Sequence, residues 1–219
     1  MAEISVALVD SMGNDLTVAN VARVSFNRWK EEFDKKDASL IDYLASHEHL
    51  SPFRHTAVSL RCSAPVFLAR QLGKHQAGLS WNEVSRRYVD VGIEFFVPDS
   101  WRSRPADGIK QGSGEKLGPS ERMTCNNLQL LAQEKCFKVY EELLTLGAAP
   151  EMARMVLPQS MMVDWIWTGN LLSMFHIYRL RSGEGAQVEA KDFAEKLQDV
   201  VQPLFPHCWS ALKNEPQTN

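Results

Sequence analysis

The segment from residue 58 to residue 65 constrains the fold more than any other part of the chain. Apolar and polar residues alternate from position 58 to position 64, which is the period of a strand that buries one face. Pro65 follows at once and suits the first turn of a helix, where its missing N–H is not needed. A half-buried strand that leads directly into a helix indicates a fold that combines both elements.

Other segments continue this mixture. We expect strands over residues 6–9 and 161–168, and a first helix that Asp15 caps. Residues 98–118, rich in glycine and proline, are expected to form a mobile loop. Further helices are expected over 39–47, 66–72, a long amphipathic stretch from Pro119 to a stop at Gly147, 151–156, 171–180 and 187–201. The sequence therefore predicts one α/β (α+β) domain over residues 1–219, with a central mixed or antiparallel sheet flanked by helices.

Composition excludes several classes of function. The 219 residues include 24 Lys or Arg and 27 Asp or Glu, a formal charge of −3, which argues against binding of a nucleic acid polymer. Residues 51–104 are basic, which suits either a small phosphorylated ligand or a solvated face. No apolar run approaches the roughly 20 residues of a membrane span, and the N-terminal residues lack a signal-peptide pattern. We therefore expect a cytoplasmic protein without membrane contact.

Residues 73–88 are expected to form a polar loop, and this region contains most of the residues suited to chemistry. The candidates are Gln71, Lys74, His75, Ser85, Arg86, Arg87 and Tyr88. The first three lie at spacing i, i+3, i+4 and so share one helix face. The paired arginines, with a hydroxyl group on either side, supply the donors that a phosphate monoester or a uracil-like ring needs. No Rossmann or P-loop glycine motif and no G-x-S-x-G nucleophile elbow occurs.

The same run resembles the signature of the flavin-dependent (alternative) thymidylate synthases. Their pattern is R-H-R, two residues, then S-x-N-E-x-S-x-R-Y. Here it reads Lys74-His75-Gln76, three residues, then Ser80-Trp81-Asn82-Glu83-Val84-Ser85-Arg86-Arg87-Tyr88. The resemblance extends in order through residues 9–15, 22–26, 47–55, 64–71, 151–158 and 167–170. It implies a homotetramer whose active sites draw on several subunits, with FAD as cofactor and dUMP, NADPH and 5,10-methylenetetrahydrofolate as substrates.

The resemblance also implies two groups of site residues. The dUMP pocket would be formed by Gln71, Leu72, Gly73, Lys74, Glu83, Val84, Ser85, Arg86, Arg87, Arg154 and Arg181. The FAD site would be formed by His49, Ser51, Lys74, His75, Gln76, Glu83, Asn170 and His176. In related enzymes the arginine matching Arg87 meets the phosphate, and the arginine matching Arg181 faces the uracil. Asn170 and Arg181 are eleven residues apart, about 20° in helical projection, so one helix is expected to present both.

Carbon 5 of uracil is a poor nucleophile, and two kinds of chemistry would make it attack a folate-bound carbon. One is addition of a cysteine thiolate to carbon 6, but Cys62, Cys125, Cys136 and Cys208 all lie outside the polar region. The other is a permanent cation that stabilises the enolate form, and Arg181 is the expected catalytic residue because guanidinium stays charged. Reduced flavin would supply the hydride. The cysteines also lack metal-ligand spacing, so we expect no metal.

Two departures from the family pattern concern the expected product. Lys74 and Gln76 replace the arginines beside His75, and one extra residue precedes Ser80. Lysine keeps the charge without the planar fork, whereas glutamine loses the charge. We expect FAD still to bind, more weakly or with its ring differently seated. Two alternatives therefore stay open beside thymidylate synthesis: a dUMP hydroxymethylase that lacks the final reduction, and a non-catalytic nucleotide-binding protein.

Overall fold

A four-stranded antiparallel sheet forms the centre of the fold. The computed structural model describes residues 2–105 and 112–214. The strands are β1 (Ser5–Met12), β2 (Ala57–Pro65), β3 (Leu79–Glu83) and β4 (Met162–Gly169), arranged in the order β1-β2-β4-β3. β2 and β4 are therefore the two central strands, although about a hundred residues separate them along the chain.

Helices surround this sheet. Those in the described ranges are α1 (Asp15–Arg23), α2 (Lys35–Ser46), α3 (Val66–Leu72), α4 (Pro119–Thr145), α5 (Pro150–Ala153), α6 (Leu171–Ser182), α7 (Val188–Val201) and α8 (Pro206–Asn214). Helix α7 packs on α6 and β1, and α2 packs on α8. The predicted α/β class with an antiparallel sheet is confirmed. None of these helices is long and apolar enough to cross a membrane.

The alternation that predicted β2 continues into the core. Its apolar side chains are buried, and Leu60 and Cys62 lie opposite Trp167 and Trp165 of β4. Phe193 of α7 stacks on Trp165 with ring centroids 5.9 Å apart, so the helical layer covers this face of the sheet. Each such large apolar side chain contributes roughly 1.5–3 kcal/mol when fully buried.

The prediction of a loop throughout residues 73–88 was wrong, because it missed β3. Backbone pairing with β4 holds this strand at the sheet edge, with Trp81 opposite Trp167. Trp81 also stacks on Trp165, with ring centroids 4.3 Å apart. Polar residues outnumber apolar ones here because the strand has a partner on one side only and packs few side chains into the core.

The prediction that Asp15 caps the first helix was also wrong. Asn14 is the cap, and its Oδ1 accepts the Thr17 N–H at 3.0 Å. The carboxylate of Asp15 instead accepts the backbone N–H groups of His207 and Cys208, each at 2.9 Å. It thereby caps α8, a helix that the sequence reading missed because Pro206 suggested a break rather than a first helical residue.

The long helix predicted after Pro119 is confirmed as α4, and Gly147 follows its end with a φ of +89°. Its orientation was not expected. Leu128 and Leu131 are each 62% exposed, whereas Gln133 and Tyr140 are buried against the rest of the chain. The leucines that made the helix look amphipathic therefore face away from this chain's own core.

The loop predicted over residues 98–118 is described in part, because residues 106–111 lie outside the described residues. The two described ends lie side by side, and Arg102 and Lys116 form an antiparallel bridge. Arg102 also donates twice to the Glu189 carboxylate, at 2.8 and 2.9 Å, which attaches this end to α7. The mobility of the loop stays a prediction.

Candidate active site

The short loop from residue 73 to residue 78 lies along α6 and is held near both ends. Asn170 caps α6 by accepting the Ser173 N–H at 2.9 Å. The Ser173 hydroxyl donates to the Ala77 carbonyl at 2.9 Å. Gly78 has a φ of +71°, and a Cβ there would lie 2.6 Å from Ser173 Oγ. The N-terminus of α6 and the end of the loop therefore fit together closely.

The other end of α6 holds Arg181, the residue expected to be catalytic. Its Nε donates to His75 Nε2 at 3.0 Å, and its Nη2 donates to the Gln71 carbonyl at 3.4 Å. One helix connects Asn170, its N-cap, with Arg181 near its other end, as predicted, but Asn170 does not line the cavity that Arg181 lines. The Nη1 group of Arg181 makes no hydrogen bond to a described residue. Part of the guanidinium is therefore available to a ligand.

The imidazoles beside Arg181 are held in their neutral form. Burial lowers the pKa of His75 to about 4, and the charge of Arg181 and the nearby His176 act in the same direction. Burial, together with Arg179 and Arg54, also lowers the pKa of His176. Burial lowers the pKa of Arg181 as well, from an ordinary value so high that the group stays charged. Positive charge in this cluster comes from guanidinium groups rather than from histidine.

Each partner of the His75–Arg181 hydrogen bond lines a cavity. The first, of about 400 Å³, lies between α3, β3 and β4, and its lining includes the predicted site residues Gly73, His75, Gln76 and Glu83. The second, of about 600 Å³, is lined in part by Gln71 and Arg181. Both volumes are within the range of small-molecule sites. Trp81 and Arg70, which line the first cavity, were not among the predicted site residues.

Several residues of the predicted dUMP pocket line a third cavity of about 260 Å³, namely Glu83, Val84, Arg86 and Arg154, whereas Arg87, the arginine expected to meet the phosphate, does not line it. Arg87 pairs with the Glu151 carboxylate at 3.0 Å. Arg154 Nε donates to the Glu151 carbonyl at 3.2 Å. Arg86 has other partners, since its guanidinium donates to the backbone carbonyls of residues 89, 91 and 92. Sequence reasoning missed the role of Glu151, since nothing in its spacing links it to Arg87.

Some predicted site residues lie elsewhere. His49 and Ser51 follow the end of α2, where the His49 ring meets the Tyr43 ring edge-on at 6.0 Å, and neither lines these cavities. The Leu72 side chain is fully buried in the core, so it offers a ligand its backbone alone. Lys74 and Ser85 line none of these cavities, and Lys74 is exposed. Their assignments, like that of His176, stay predictions.

The site has an unmet hydrogen-bonding requirement that a flavin or uracil ring would satisfy. The buried Oε1 of Gln71 has no partner among the described residues, and Gln71 lines the larger cavity beside Arg181. Both rings carry an imide N–H, which is the donor that such a buried acceptor lacks. Trp167, which lines the first cavity, likewise has a buried Nε1–H with no partner among the described residues, and ring carbonyls are suitable acceptors for it. The residues present therefore fit these groups.

The α/β fold and the arginine-lined cavities define a class of protein with a site of small-molecule size. The chain belongs to the family described as thymidylate synthase complementing protein, whose sequence model matches residues 7–207. It is 36% identical over 208 residues to a flavin-dependent thymidylate synthase of Thermus thermophilus, covering 95% of this chain and 75% of the relative. It is 35% identical over 207 residues to that of Thermosipho africanus, covering 94% and 89%.

Solved structures show the same relationship. The chain is similar to the UMP/dUMP methylase PolB from Streptomyces cacaoi bound with 5-Br dUMP, with a TM-score of 0.86 and 31% identity, over 98% of this chain and 96% of that one. A second structure of PolB, bound with 5-Br UMP, matches with the same TM-score and identity. The family resemblance stated from the sequence is confirmed.

Proposed function

We propose that this protein is a flavin-dependent thymidylate synthase. It methylates dUMP to dTMP with 5,10-methylenetetrahydrofolate as the carbon donor and FAD, reduced by NADPH, as the hydride source. The observation that supports this most is the contact between Arg181, His75 and Gln71, which places a fixed cation beside a cavity with an unmet acceptor. The family membership and the relatives named above support the same reaction.

In this proposal Arg181 stabilises the enolate form of the uracil ring. Its Nε is held by a neutral imidazole and its Nη2 by a backbone carbonyl, so the guanidinium is oriented before substrate arrives. His75 can accept this hydrogen bond because its low pKa keeps the imidazole neutral at neutral pH, and the Arg181 Nε–H that faces Nε2 favours the tautomer with Nε2 unprotonated. Gln71 accepts the imide N–H, and Arg87 and Arg154 bind the phosphate. When bound, reduced FAD supplies the hydride that completes the methyl group.

A cysteine nucleophile has no part in the proposal. Cys62 and Cys208 are fully buried, and burial raises the pKa of both thiols. Cys125 and Cys136 are on α4, and none of the four lines the cavities around Arg181 and Glu83. A thiol held neutral in the core cannot attack carbon 6 of a bound pyrimidine.

The product formed from dUMP tests the reaction. Purified protein is incubated with FAD, NADPH, dUMP and isotopically labelled methylenetetrahydrofolate, and the nucleotide is identified by mass spectrometry. Labelled dTMP is the expected product. A hydroxymethylated nucleotide would show that the final reduction is lost and favour the hydroxymethylase. Bound dUMP without any product would favour the non-catalytic binding protein, and failure to take up FAD in a titration would contradict the flavin assignment.

Arg181→Ala tests the residue. We expect turnover to fall by at least about a thousandfold with the fold retained, because an oriented charge acting on the transition state is lost. Arg179→Ala removes the same charge two residues away on an exposed position of α6 and should keep most of the activity. Comparable activity in the two variants would contradict the role given to Arg181.

We also propose UMP as a second substrate, because one similar solved structure was obtained with a UMP analogue. PolB is described as a UMP/dUMP methylase and was solved with 5-Br UMP bound. The same product assay with UMP in place of dUMP tests whether this chain shares that range. Methylated UMP would establish it, and methylation of dUMP alone would restrict the chain to the deoxynucleotide.

We also propose that the chain forms a homotetramer in which α4 of each subunit pairs with α4 of one neighbour. Glu121, Leu128, Leu131 and Lys138 fall within about a 100° arc of this helix, on the side away from Gln133 and Tyr140. If a second α4 packs antiparallel with Leu128 against Leu131, then Glu121 meets Lys138 at both ends of the contact. Exposed leucines flanked by complementary charges are typical of a helix that pairs with its own copy.

The tetramer is tested by light scattering after gel filtration. Leu131→Glu places a charge at the centre of the contact and should reduce the mass to that of a smaller species. Glu121→Lys should weaken the assembly and Glu121→Lys with Lys138→Glu should restore it. A tetramer unaffected by all three changes would exclude this face.

A further inference from the structure

Glu151, at the start of α5, contacts both arginines proposed to bind the phosphate. Its carboxylate pairs with Arg87 Nη2 at 3.0 Å, and its backbone carbonyl accepts from Arg154 Nε at 3.2 Å. The Arg87 guanidinium also lies over the Tyr88 ring, 5.6 Å from its centroid. Glu151 therefore contacts both guanidinium groups and places a negative charge beside that of Arg87.

Arg87 differs in this respect from the other arginines of the proposed pocket. Within the described residues, the side chains of Arg86, Arg154 and Arg181 bond to carbonyl oxygens or to imidazole and form no ion pair with a carboxylate. The Arg87 and Glu151 side chains are 50% and 51% exposed. An ion pair with this much solvent contact is weak, so a better anion can replace the carboxylate.

We propose that Glu151 is a resting counter-ion for Arg87 that the phosphate of the nucleotide displaces. The inference rests on the proposed function, because it takes Arg87 as the phosphate ligand. A phosphate monoester carries a charge of about −1.5 to −2 near neutral pH and offers three acceptor oxygens, so it competes well for a guanidinium. A nucleoside without phosphate has nothing with which to displace the carboxylate. Glu151 therefore favours ligands that carry a phosphate over ligands without one.

Glu151→Gln isolates this effect. The substitution removes the charge and keeps the backbone carbonyl that holds Arg154. Glu151→Asp keeps the charge, and Glu195→Gln removes the same charge from an exposed position on α7. Binding of dUMP, deoxyuridine and inorganic phosphate to each full-length variant is measured by calorimetry. Glu151→Gln should bind dUMP and phosphate about three- to tenfold more tightly than the parent, the range expected for an exposed pair plus relief of repulsion. Deoxyuridine should change less than twofold.

The two control variants should behave as the parent protein does. A weaker or unchanged affinity of Glu151→Gln for both phosphate-bearing ligands would overturn the inference, as would a Glu151→Asp variant that matches Glu151→Gln. In an Arg87→Ala background the part of the Glu151 effect that comes from the ion pair should be lost, while repulsion of the phosphate remains, so an effect as large as in the parent background would also overturn the inference. If dUMP does not bind the parent while Glu151→Gln still binds phosphate more tightly, then the counter-ion stands and the proposed function fails. If parent and Glu151→Gln bind dUMP equally, then the counter-ion inference fails and the proposed function stands.

Discussion

Replacing Gly78 by alanine tests how closely the 73–78 loop is fitted to α6. The backbone there is left-handed, with a φ of +71°, and an alanine in that conformation costs about 1 kcal/mol. The added Cβ would also lie 2.6 Å from Ser173 Oγ and 2.9 Å from Asn170 Nδ2. Relieving that overlap displaces the Ser173 hydroxyl from the Ala77 carbonyl, and loss of this hydrogen bond costs about 1–2 kcal/mol more.

The expected total is about 2–3 kcal/mol, which for a chain of this size is roughly 4–12 °C in melting temperature. Gly147→Ala is the matched control, since its φ is +89° and no atom lies within 4 Å of the added Cβ. It carries the conformational cost alone, about 1 kcal/mol and roughly 2–4 °C. Thermal unfolding followed by circular dichroism compares the two, and dUMP titration shows whether the loop has moved. Equal destabilisation by the two substitutions would refute the close fit.

Three further predictions concern other parts of the chain. The pKa of His75 is lowered from its ordinary 6.5 to about 4, so on acidification the unfolded chain binds the proton before the folded chain does, and stability should fall between pH 7 and pH 4. Urea unfolding should show that the free energy of unfolding is about 1 kcal/mol lower at pH 5, a figure discounted for the partial exposure of the ring. His75→Gln should remove this loss. Asp15→Ala should cost about 2 kcal/mol of stability by uncapping α8, whereas exposed Asp42→Ala should cost under about 0.5 kcal/mol. In the native protein a thiol reagent should leave Cys62 and Cys208 unmodified, and rapid labelling of either would contradict their burial.

Local sequence patterns were sufficient to predict the secondary structure of segments whose structure does not depend on distant parts of the chain. The alternation of β2, the stop of α4 at Gly147 and the helical span that joins Asn170 to Arg181 were all predicted. β3 and α8 were missed because each depends on a distant partner. β3 is a strand because β4 pairs with it, and α8 is capped by a side chain about 190 residues earlier in the chain.

The same distinction applies to the candidate site. Motif spacing brought attention to His75, Arg87 and Arg181, but it did not show that His75 is a neutral acceptor for Arg181 or that Glu151 faces Arg87. Those relations depend on burial and on contacts between separate elements. The exposure of Leu128 and Leu131 was missed for a related reason, since periodicity reveals an apolar stripe and not which molecule covers it.

The strand order has a consequence for how the chain is made. β2 finds its second neighbour, β4, only after about a hundred further residues have been synthesised, and until then one edge of β2 is unpaired. β3 also waits for β4, its partner, although fewer residues separate these two strands along the chain. A nascent chain that ends before β4 therefore exposes strand edges with unpaired backbone groups. The 73–78 loop next to β3 acquires its support late in synthesis, once α6 has followed β4 out of the ribosome.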